Sequence, residues 1–326
     1  MKRTVVGITM GDPCGVGPEV TIRALSDMEL YSEIRPLVFG DAMVIEEAKR
    51  LTGVECDFEV VDHSNFPVDM ITIGKPCAEA GRASLEYVQS AVDYVLSGRV
   101  DALVTAPISK EAIHLAGSRY PGHTEILREL SGANRVAMMF EGEKFRVVLV
   151  TIHVALSEVP SLITQESVFS TIEIAYTSLK KLCGVTSPRL AVAGLNPHAG
   201  EGGAFGREEI EFIRPAVMAA REKGIEVEGP LPPDTLFYHA LQGKWDAVVA
   251  MYHDQGLIPF KMVSFEDGVN VTLGLPFVRT SPDHGTAFDI AWRGIANPSS
   301  MLSAIRVASR FARNLKAFAH LPATPV

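Results

Sequence analysis

Short apolar runs alternate with amphipathic stretches of helical length along the chain. Val5–Met10 precedes the amphipathic stretch Pro18–Leu25, and Leu37–Phe39 precedes Met43–Leu51. Later apolar runs lie at residues 102–105, 145–152, 190–195 and 247–251. Apolar strands that alternate with amphipathic helices are typical of βαβ units around a buried parallel sheet. The pattern therefore predicts an α/β protein.

Two interruptions of this pattern predict where one domain ends and another begins. The chain has 326 residues, more than a single hydrophobic core usually serves. Gly and Asn interrupt the pattern at Ser131–Asn134, and Pro and Gly cluster near Pro276–Pro282. We therefore expect a first α/β/α domain from residues 1–134 with 284–326 and a second from residues 135–283. A single compact domain is the alternative.

Composition and charge argue against several classes of protein. With 47% hydrophobic and 21% charged residues, the chain has ordinary globular usage. Its net charge of −9 and the absence of a basic cluster argue against nucleic acid as a partner. The four cysteines show no Cys-x-x-Cys spacing, and no apolar run reaches the roughly 18 residues of a membrane span. We expect reduced thiols, no membrane insertion and a cytoplasmic location.

Three histidines closely follow three of the apolar runs. His153, His198 and His253 each come within three residues of the end of such a run. In open α/β sheets, ligands bind outside the carboxyl ends of the strands. Imidazole is the commonest protein ligand for a divalent transition metal, and three protein ligands suit a catalytic site. The spacing favours a three-histidine metal site if the fold or a second subunit brings the strands together; otherwise each histidine only caps a strand or bonds a loop.

Two aspartates near these histidines are candidates for orienting an imidazole. Asp254 is the neighbour of His253, and Asp234 follows the proline-containing segment Gly229–Pro233. A carboxylate that accepts a hydrogen bond from a ligating histidine fixes its tautomer, although an aspartate in such a position equally often caps a loop. Together with Lys110, these aspartates are also the candidates for proton transfer, and the sequence does not choose among them.

Two further groups of residues have the chemistry of an anion site. Lys261, Asn270 and Arg279 follow one another at intervals of nine residues, each beside an apolar stretch. An Arg fork, a Lys charge and an Asn amide suit a phosphate or a carboxylate. His123 and Thr124 lie in a tight turn that enters a helix, where backbone N–H groups favour anions. The alternative is that these side chains are only solvated surface.

Two glycine-containing segments are candidates for nucleotide contacts. Gly11–Glu19 follows the first strand and opens the first helix, but it lacks the third glycine of the dinucleotide fingerprint. We interpret it first as a turn, with a cleft-lining role as the alternative. Asp283–Ala291 is a loop that feeds a helix, and its simplest interpretation is a loop before an N-capped helix.

Six segments, taken in order, carry a resemblance to a known family. They are Met10–Glu19, Thr105–Lys110, Gly122–Glu125, Asn196–Glu201, Tyr252–Gly256 and Gly268–Pro276. Together they resemble the 4-hydroxythreonine-4-phosphate dehydrogenase (PdxA) family of vitamin B6 biosynthesis, over nearly the whole chain. In this resemblance, His153, His198 and His253 fall on the metal ligands of the family. Its substrate-binding positions correspond to His123, Thr124, Lys261, Asn270 and Arg279.

The resemblance implies an NAD-dependent enzyme with a divalent metal ion, whether Zn, Co, Mn, Ni or Mg. Such an enzyme would oxidise the C3 hydroxyl of a 4-phosphorylated four-carbon hydroxy acid and then release CO₂. The resemblance also implies a homodimer whose active site lies at the subunit interface, with the metal ligands and that interface in the second domain. A metal-dependent phosphate-handling enzyme without redox chemistry and a catalytically silent binding protein are the alternatives.

A second, more distant resemblance concerns the cofactor. His284–Ala291 and Gly294–Pro298 look like the segment with which isopropylmalate and isocitrate dehydrogenases contact the adenosine of NAD. This resemblance implies two α/β/α domains of that type with a cleft between them. The positions that it assigns to the cofactor are His284, Gly285, Thr286, Asp289 and Asn297.

Two departures from the biosynthetic pattern bear on the substrate. Thr105–Ser109 reads Thr-Ala-Pro-Ile-Ser where biosynthetic members have Thr-Gly-Pro-Val-His, and Thr151–Leu156 departs from their Thr-His-Leu-Pro-Leu pattern. Both departures look closer to paralogues that act on D-threonate 4-phosphate or D-erythronate 4-phosphate. Another branch oxidises a terephthalate cis-dihydrodiol. The sequence leaves the choice open, because one phosphate clamp would serve all the phosphorylated substrates.

Overall fold

The computed structural model describes residues 3–320, and its order of elements is that of an α/β protein. The strands are β1 (Thr4–Thr9), β2 (Ile34–Gly40), β3 (Glu59–Asp62), β4 (Ala102–Thr105), β5 (Ala137–Glu141), β6 (Arg146–Leu149), β7 (Leu190–Ala193), β8 (Val227–Leu231), β9 (Ala247–Ala250), β10 (Val269–Leu273) and β11 (Val278–Pro282). The helices are α1 (Gly17–Leu25), α2 (Leu30–Glu33), α3 (Ala42–Thr52), α4 (Ala78–Leu96), α5 (Lys110–Leu115), α6 (His123–Ser131), α7 (Val159–Leu162), α8 (Gln165–Lys181), α9 (Arg214–Glu222), α10 (Pro233–Leu241), α11 (His253–Lys261) and α12 (Ser299–Ala319). Among residues 3–320, no helix combines the length and the apolar character needed to cross a membrane.

The first compact unit, made of the described residues up to Arg135 together with Leu275–Lys316, is built on parallel strands. Their order is β3-β2-β1-β4-β11, and each neighbouring pair runs parallel. Every residue of β4 is buried, as expected for a strand that is covered on both faces. Because parallel strands end at one edge of a sheet, the segments that follow β1, β4 and β11 leave the sheet on the same side.

The second unit, Val136–Gly274 with the described residues from Ala317 onward, has a mixed set of strands. Their order is β10-β5-β6-β9-β7-β8; β5 runs antiparallel to β10 and β6, and the other pairs are parallel. Phe260 of α11 anchors the core, with its ring centroid 5.6 Å from that of Phe140 and 5.9 Å from that of Phe145. Since β6, β9 and β7 are parallel neighbours, the segments that carry His153, His253 and His198 leave the sheet at one edge.

The alternation of strands and helices confirms the predicted α/β class. The edge strand β3 was not predicted, because its residues are only partly buried and form no continuous apolar run. The compact units divide after Arg135 and after Gly274, whereas the second predicted division lay between Asp283 and His284. The physical reason is that β11 pairs with β4 and so belongs to the first unit. Residues 321–326, assigned to the first domain from the sequence, lie outside the described residues.

Candidate active site

Two of the predicted metal ligands lie side by side in the second unit. The ring centroids of His153, after β6, and His253, at the start of α11, are 5.9 Å apart. Nδ1 of His253 lies 2.7 Å from Oδ1 of Asp254, which is the geometry of an N–H donating to a carboxylate. Such a bond fixes the tautomer of the ring and leaves Nε2 for a metal ion. The donor set of this pair therefore fits two positions of a divalent metal site.

His198, the third predicted ligand, lies in a left-handed turn. From His198 to Gly202, every residue has a positive φ angle, and three of these residues, His198, Ala199 and Glu201, are not glycine. L-residues adopt this conformation at an energetic cost, and strained backbone of this kind concentrates at functional sites. The imidazole is exposed, and its ring centroid lies 6.3 Å from that of exposed Phe205.

Buried Glu209 holds the base of this turn. Its Oε1 accepts a hydrogen bond from the Asn196 backbone amide (2.7 Å), and its Oε2 accepts one from the Asn196 side-chain amide (2.9 Å). The Asn196 side chain also donates to Glu208 at 2.7 Å. A Cβ at Gly200 would come within 2.6 Å of Glu209 Oε2, so the close approach requires glycine there. The sequence analysis missed Glu209, because nothing in its spacing links it to a residue thirteen positions earlier.

The three histidines do not converge within one chain. Among residues 3–320, no three His, Cys, Asp or Glu side chains are placed so that they could hold one metal ion. The shared sheet edge brings His153 and His253 together, but the strained turn after β7 does not bring His198 into that group. Among the described residues, the fold of a single chain therefore does not bring the three histidines together.

A cluster of residues with the chemistry of an anion site lies in the first unit. Arg279, on β11, is only 2% exposed, and its Nε and Nη2 donate to Thr105 Oγ1 at 3.2 and 2.6 Å. Thr105 is the last residue of β4, the neighbour of β11. It stands in one of the segments that carried the resemblance, yet the sequence analysis assigned it no role. Its hydroxyl orients the guanidinium, so it belongs to the site.

The electrostatics of this cluster favour an anion. Burial lowers the pKa of Arg279 to about 9, and the negative charge of Glu125 opposes that shift, so the guanidinium is charged at neutral pH. Burial, and then the charge of Arg279, hold the pKa of His123 well below 6.5, which leaves its imidazole neutral. Within the described residues, the buried Nε2 of His123 has no hydrogen-bond partner. A buried cation beside an unused imidazole nitrogen fits a phosphate oxygen.

The amino end of α6 completes this cluster. His123 and Thr124 are its first two residues, and the first N–H groups of a helix have no partner within the helix. Lys110, exposed at the start of α5, lies close by, since its Cε would be 4.0 Å from a Cβ built on Gly122. The cluster thus combines a helix terminus, a guanidinium, an imidazole and an ammonium group, which suits a phosphate dianion.

The remaining predicted substrate and proton-transfer residues lie in the second unit. Lys261 is the last residue of α11, and Asn270 stands on β10 with its Oδ1 buried and, among the described residues, without a hydrogen-bond partner. Asp234 is exposed in the first turn of α10, and Asp254 bonds His253. The geometry therefore links Asp254 to a metal ligand, whereas Asp234 remains a candidate by sequence alone.

The predicted cofactor residues lie in the loop between β11 and α12. His284 and Asp289 are exposed, and a Cβ built on Gly285 would meet open space. Asn297 Oδ1 accepts hydrogen bonds from the backbone amide and the hydroxyl of Ser299 at 3.0 and 2.7 Å, so it caps α12. The exposed imidazole, the carboxylate and the open backbone suit the polar edge of a nucleoside. The hydrogen bonds from Ser299 fix the position of Asn297 at the start of α12.

The turn Gly11–Glu19 is packed rather than open. Every residue from Gly11 to Val20 is buried. A Cβ at Gly11 would come within 2.4 Å of the Pro107 carbonyl oxygen, and one at Gly17 within 2.3 Å of the Met10 carbonyl oxygen. These glycines permit close approach of backbone to backbone, which fits the interpretation of Gly11–Glu19 as a packed turn.

Known proteins similar to this chain include both substrate branches considered above. A family model described as pyridoxal phosphate biosynthetic protein PdxA matches residues 32–308. A 4-hydroxythreonine-4-phosphate dehydrogenase of Desulforapulum autotrophicum is 50% identical over 324 residues, which cover 94% of this chain and 95% of that protein. A D-threonate 4-phosphate dehydrogenase of Cupriavidus necator is 45% identical over 324 residues, which cover 94% of this chain and 97% of that protein.

Solved structures show the same likeness. The crystal structure of 4-hydroxythreonine-4-phosphate dehydrogenase from Klebsiella pneumoniae is 41% identical, covers 95% of this chain and 98% of its own, and superposes with a TM-score of 0.86. Isocitrate dehydrogenase from Methylococcus capsulatus is 14% identical with a TM-score of 0.51 and covers 96% of this chain and 87% of its own, which is a likeness of fold alone. The predicted similarity of fold to isocitrate and isopropylmalate dehydrogenases is confirmed.

Proposed function

Because this chain belongs to the family of the pyridoxal phosphate biosynthetic protein PdxA, we propose that it is an NAD-dependent and metal-dependent dehydrogenase of a 4-phosphorylated four-carbon hydroxy acid. It oxidises the C3 hydroxyl, and the 3-keto acid that forms then loses CO₂. The observation that carries this proposal is the buried Arg279 beside the unused Nε2 of His123, at the amino end of α6.

The first unit binds the phosphate of the substrate. Arg279, already oriented by Thr105, contributes charge and a planar pair of donors. Thr124 and the first N–H groups of α6 supply further donors, and Lys110 adds a second positive charge nearby. Since these groups are in place before the substrate arrives, little ordering is required on binding. Lys261 and Asn270 are the other two substrate-binding residues of the proposal, by the family resemblance.

The second unit holds the divalent metal through His153, His198 and His253. When bound, the ion is a Lewis acid for the substrate hydroxyl and for the keto group formed from it. Asp254 keeps the His253 ring in the tautomer that a metal requires. Imidazole donors suit Zn, Co, Mn and Ni, while Mg prefers oxygen ligands.

The active form is a homodimer in which the partner subunit supplies the third histidine. His153 and His253 are paired within one chain, while His198 does not join them. Large apolar side chains are exposed in the same segments: Val154, Leu156, Phe205, Met262 and Phe265. Met262 is 83% exposed and Phe265 is 74% exposed, which is unusual for such side chains unless another surface covers them.

The cofactor binds along the loop that contains His284, Gly285, Thr286, Asp289 and Asn297. When bound there, NAD would supply the hydride acceptor for oxidation at C3. The candidates for proton transfer are Lys110, Asp234 and Asp254. Lys110 lies beside the phosphate cluster, and Asp254 is hydrogen-bonded to His253.

A single assay tests the reaction class. Metal-replete protein is incubated with NAD and, separately, with 4-hydroxythreonine 4-phosphate, D-threonate 4-phosphate and D-erythronate 4-phosphate, and reduced nicotinamide is followed by absorbance. We expect chelator-sensitive reduction with one of these substrates. Reduction that survives complete removal of the metal contradicts the metal requirement, and no reduction with any of the three contradicts the proposed substrate class.

A further inference from the structure

The loop between β11 and α12 is fastened to the buried turn that follows β1. Three hydrogen bonds join the two segments: Val16 N–H to the Thr286 carbonyl (2.9 Å), Trp292 Nε1–H to the Pro13 carbonyl (2.8 Å), and Gly294 N–H to Glu19 Oε2 (2.8 Å). A Cβ on Gly15 would come within 3.0 Å of Thr286, so the two segments also pack closely. The loop therefore takes its shape from α1 and the turn before it.

Glu19 and Arg23 together hold a single residue of this loop. They lie one helical turn apart on α1; Glu19 accepts from the Gly294 amide, and Arg23 Nη1 donates to the Gly294 carbonyl at 3.0 Å. Gly294 has a φ of +69°, which favours glycine. Both backbone groups of this residue are thus committed to α1, and its backbone conformation is tightly constrained.

The Glu19 carboxylate is kept in a costly environment. Glu19 is fully buried, and among the described residues its Oε1 has no hydrogen-bond partner. A buried polar atom without a partner costs stability, and an apolar side chain would avoid that cost only by leaving the Gly294 amide without its acceptor. What the carboxylate provides is one strong acceptor, aimed at the Gly294 amide.

The same loop also contains strained backbone. Ala287 has a φ of +41° and Trp292 a φ of +57°, a region that non-glycine residues rarely occupy. Such conformations persist when surrounding contacts over-determine them. Here the strained residues lie between the anchored residues Thr286 and Gly294, so the anchors impose the shape of the whole loop.

We propose that Glu19 is a positioning residue for the dinucleotide: by holding Gly294, it keeps the loop from Thr286 to Asn297 in the conformation that binds NAD. The inference rests on the proposed assignment of this loop to the cofactor. A loop ordered before binding loses less conformational entropy when the ligand arrives. Loss of the anchor should therefore weaken NAD binding and leave the phosphate cluster around Arg279 unaffected.

The test compares Glu19→Ala with Glu19→Gln in direct NAD titrations by calorimetry. Removing a charged acceptor from the partly buried Gly294 amide should raise the Kd for NAD about tenfold to a hundredfold in Glu19→Ala. Glutamine keeps an acceptor oxygen for the Gly294 amide, so Glu19→Gln should stay within about threefold of the unsubstituted protein. Asp27→Asn is the matched control, because Asp27 follows α1 and pairs with Arg306 of α12 outside this loop.

Two further readouts separate positioning from a general effect on folding. In Glu19→Ala, amide hydrogen exchange should accelerate between Thr286 and Gly294, while inorganic phosphate should bind as before. Arg23→Met removes only the bond to the Gly294 carbonyl; it should raise the Kd for NAD about threefold to tenfold, and it serves if Glu19→Ala does not fold.

Unchanged NAD affinity in Glu19→Ala, or in Arg23→Met if the alanine variant does not fold, overturns the inference. So does an equal loss of affinity in Glu19→Ala and Glu19→Gln with accelerated exchange throughout the first unit. If the unsubstituted protein binds no NAD, the proposed function itself fails. The exchange of residues 286–294 then still reports whether Glu19 orders the loop, which distinguishes the two failures.

Discussion

The phosphate cluster of the first unit and the histidine pair of the second differ in how much a single chain supplies. Arg279, Thr105 and His123 are brought together by two neighbouring strands and one helix, with Arg279 and Thr105 buried and bonded to each other. His153 and His253 lie side by side just after the ends of β6 and β9. His198 lies in a strained turn after β7 and does not join them. The first group of residues is organised by burial within the chain, whereas within residues 3–320 the three histidines are not brought together.

The difference has a physical cause. A guanidinium that is out of water must be fixed by hydrogen bonds as the chain folds, because an unsatisfied buried charge is costly. Exposed imidazoles carry no such penalty, so nothing in the folding of one chain forces three of them together. A metal ion and a second subunit can do so, and the exposed apolar side chains near these histidines point the same way.

Mixing two inactive variants gives the largest expected effect. His198→Ala and His253→Ala homodimers should each lose activity by about a thousandfold, since a metal supplies several kcal/mol of stabilisation to the transition state. If the partner supplies His198, a mixed dimer contains one site with all three histidines, and a random mixture should recover about a quarter of the unsubstituted activity. Mixed dimers that recover nothing would show that each chain builds its own site.

Arg279→Met tests the phosphate cluster. We expect the KM for the phosphorylated substrate to rise about a hundredfold, because a charge-assisted pair of hydrogen bonds is lost. The variant should fold at least as well, since a buried charge is replaced by an apolar side chain. Arg279→Lys keeps the charge but loses the planar fork. Its KM should lie between those of the unsubstituted protein and Arg279→Met. A lowered kcat with an unchanged KM would contradict phosphate binding at this position.

Glu209→Ala probes the support of the strained turn. Without the two bonds to Asn196, the turn that carries His198 should relax, and metal affinity should fall about tenfold to a hundredfold, as it does when partners of ligating residues are removed. Competition with a chromophoric chelator measures this affinity. Glu211→Gln is the control, because Glu211 is exposed and pairs with Arg207 at the surface. Equal metal affinity in both variants would remove Glu209 from the site.

The smallest expected effect is a change in the pKa of His123 when phosphate binds. Because its folded-state pKa lies well below 6.5, the unfolded chain binds more protons in acid; the stability linked to His123 is therefore complete above pH 6.5 and falls as the pH drops below it. A phosphate dianion beside the ring should raise the folded-state pKa of His123, because a nearby negative charge favours the protonated imidazole. NMR titration with and without inorganic phosphate measures the shift, and an unchanged pKa would place the anion elsewhere.

Much of the site could be predicted from residue order, and the rest could not. Arg279 lies 155 residues after Thr124, yet the chemistry and local context of His123, Thr124 and Arg279 were enough to select them. Thr105 and Glu209 were missed because their roles depend on which atoms they meet: a guanidinium on a neighbouring strand and the backbone of Asn196.

By itself, the sequence determined the α/β class, the placement of three histidines after strands and the family of the chain, because these depend on periodicity and on ordered local motifs. The tertiary structure decided that β11 joins the first unit, that the glycine turn after β1 is packed, and that His153 and His253 meet without His198. These outcomes follow from strand pairing, close packing and strained backbone, which depend on residues distant in the chain and leave no local pattern.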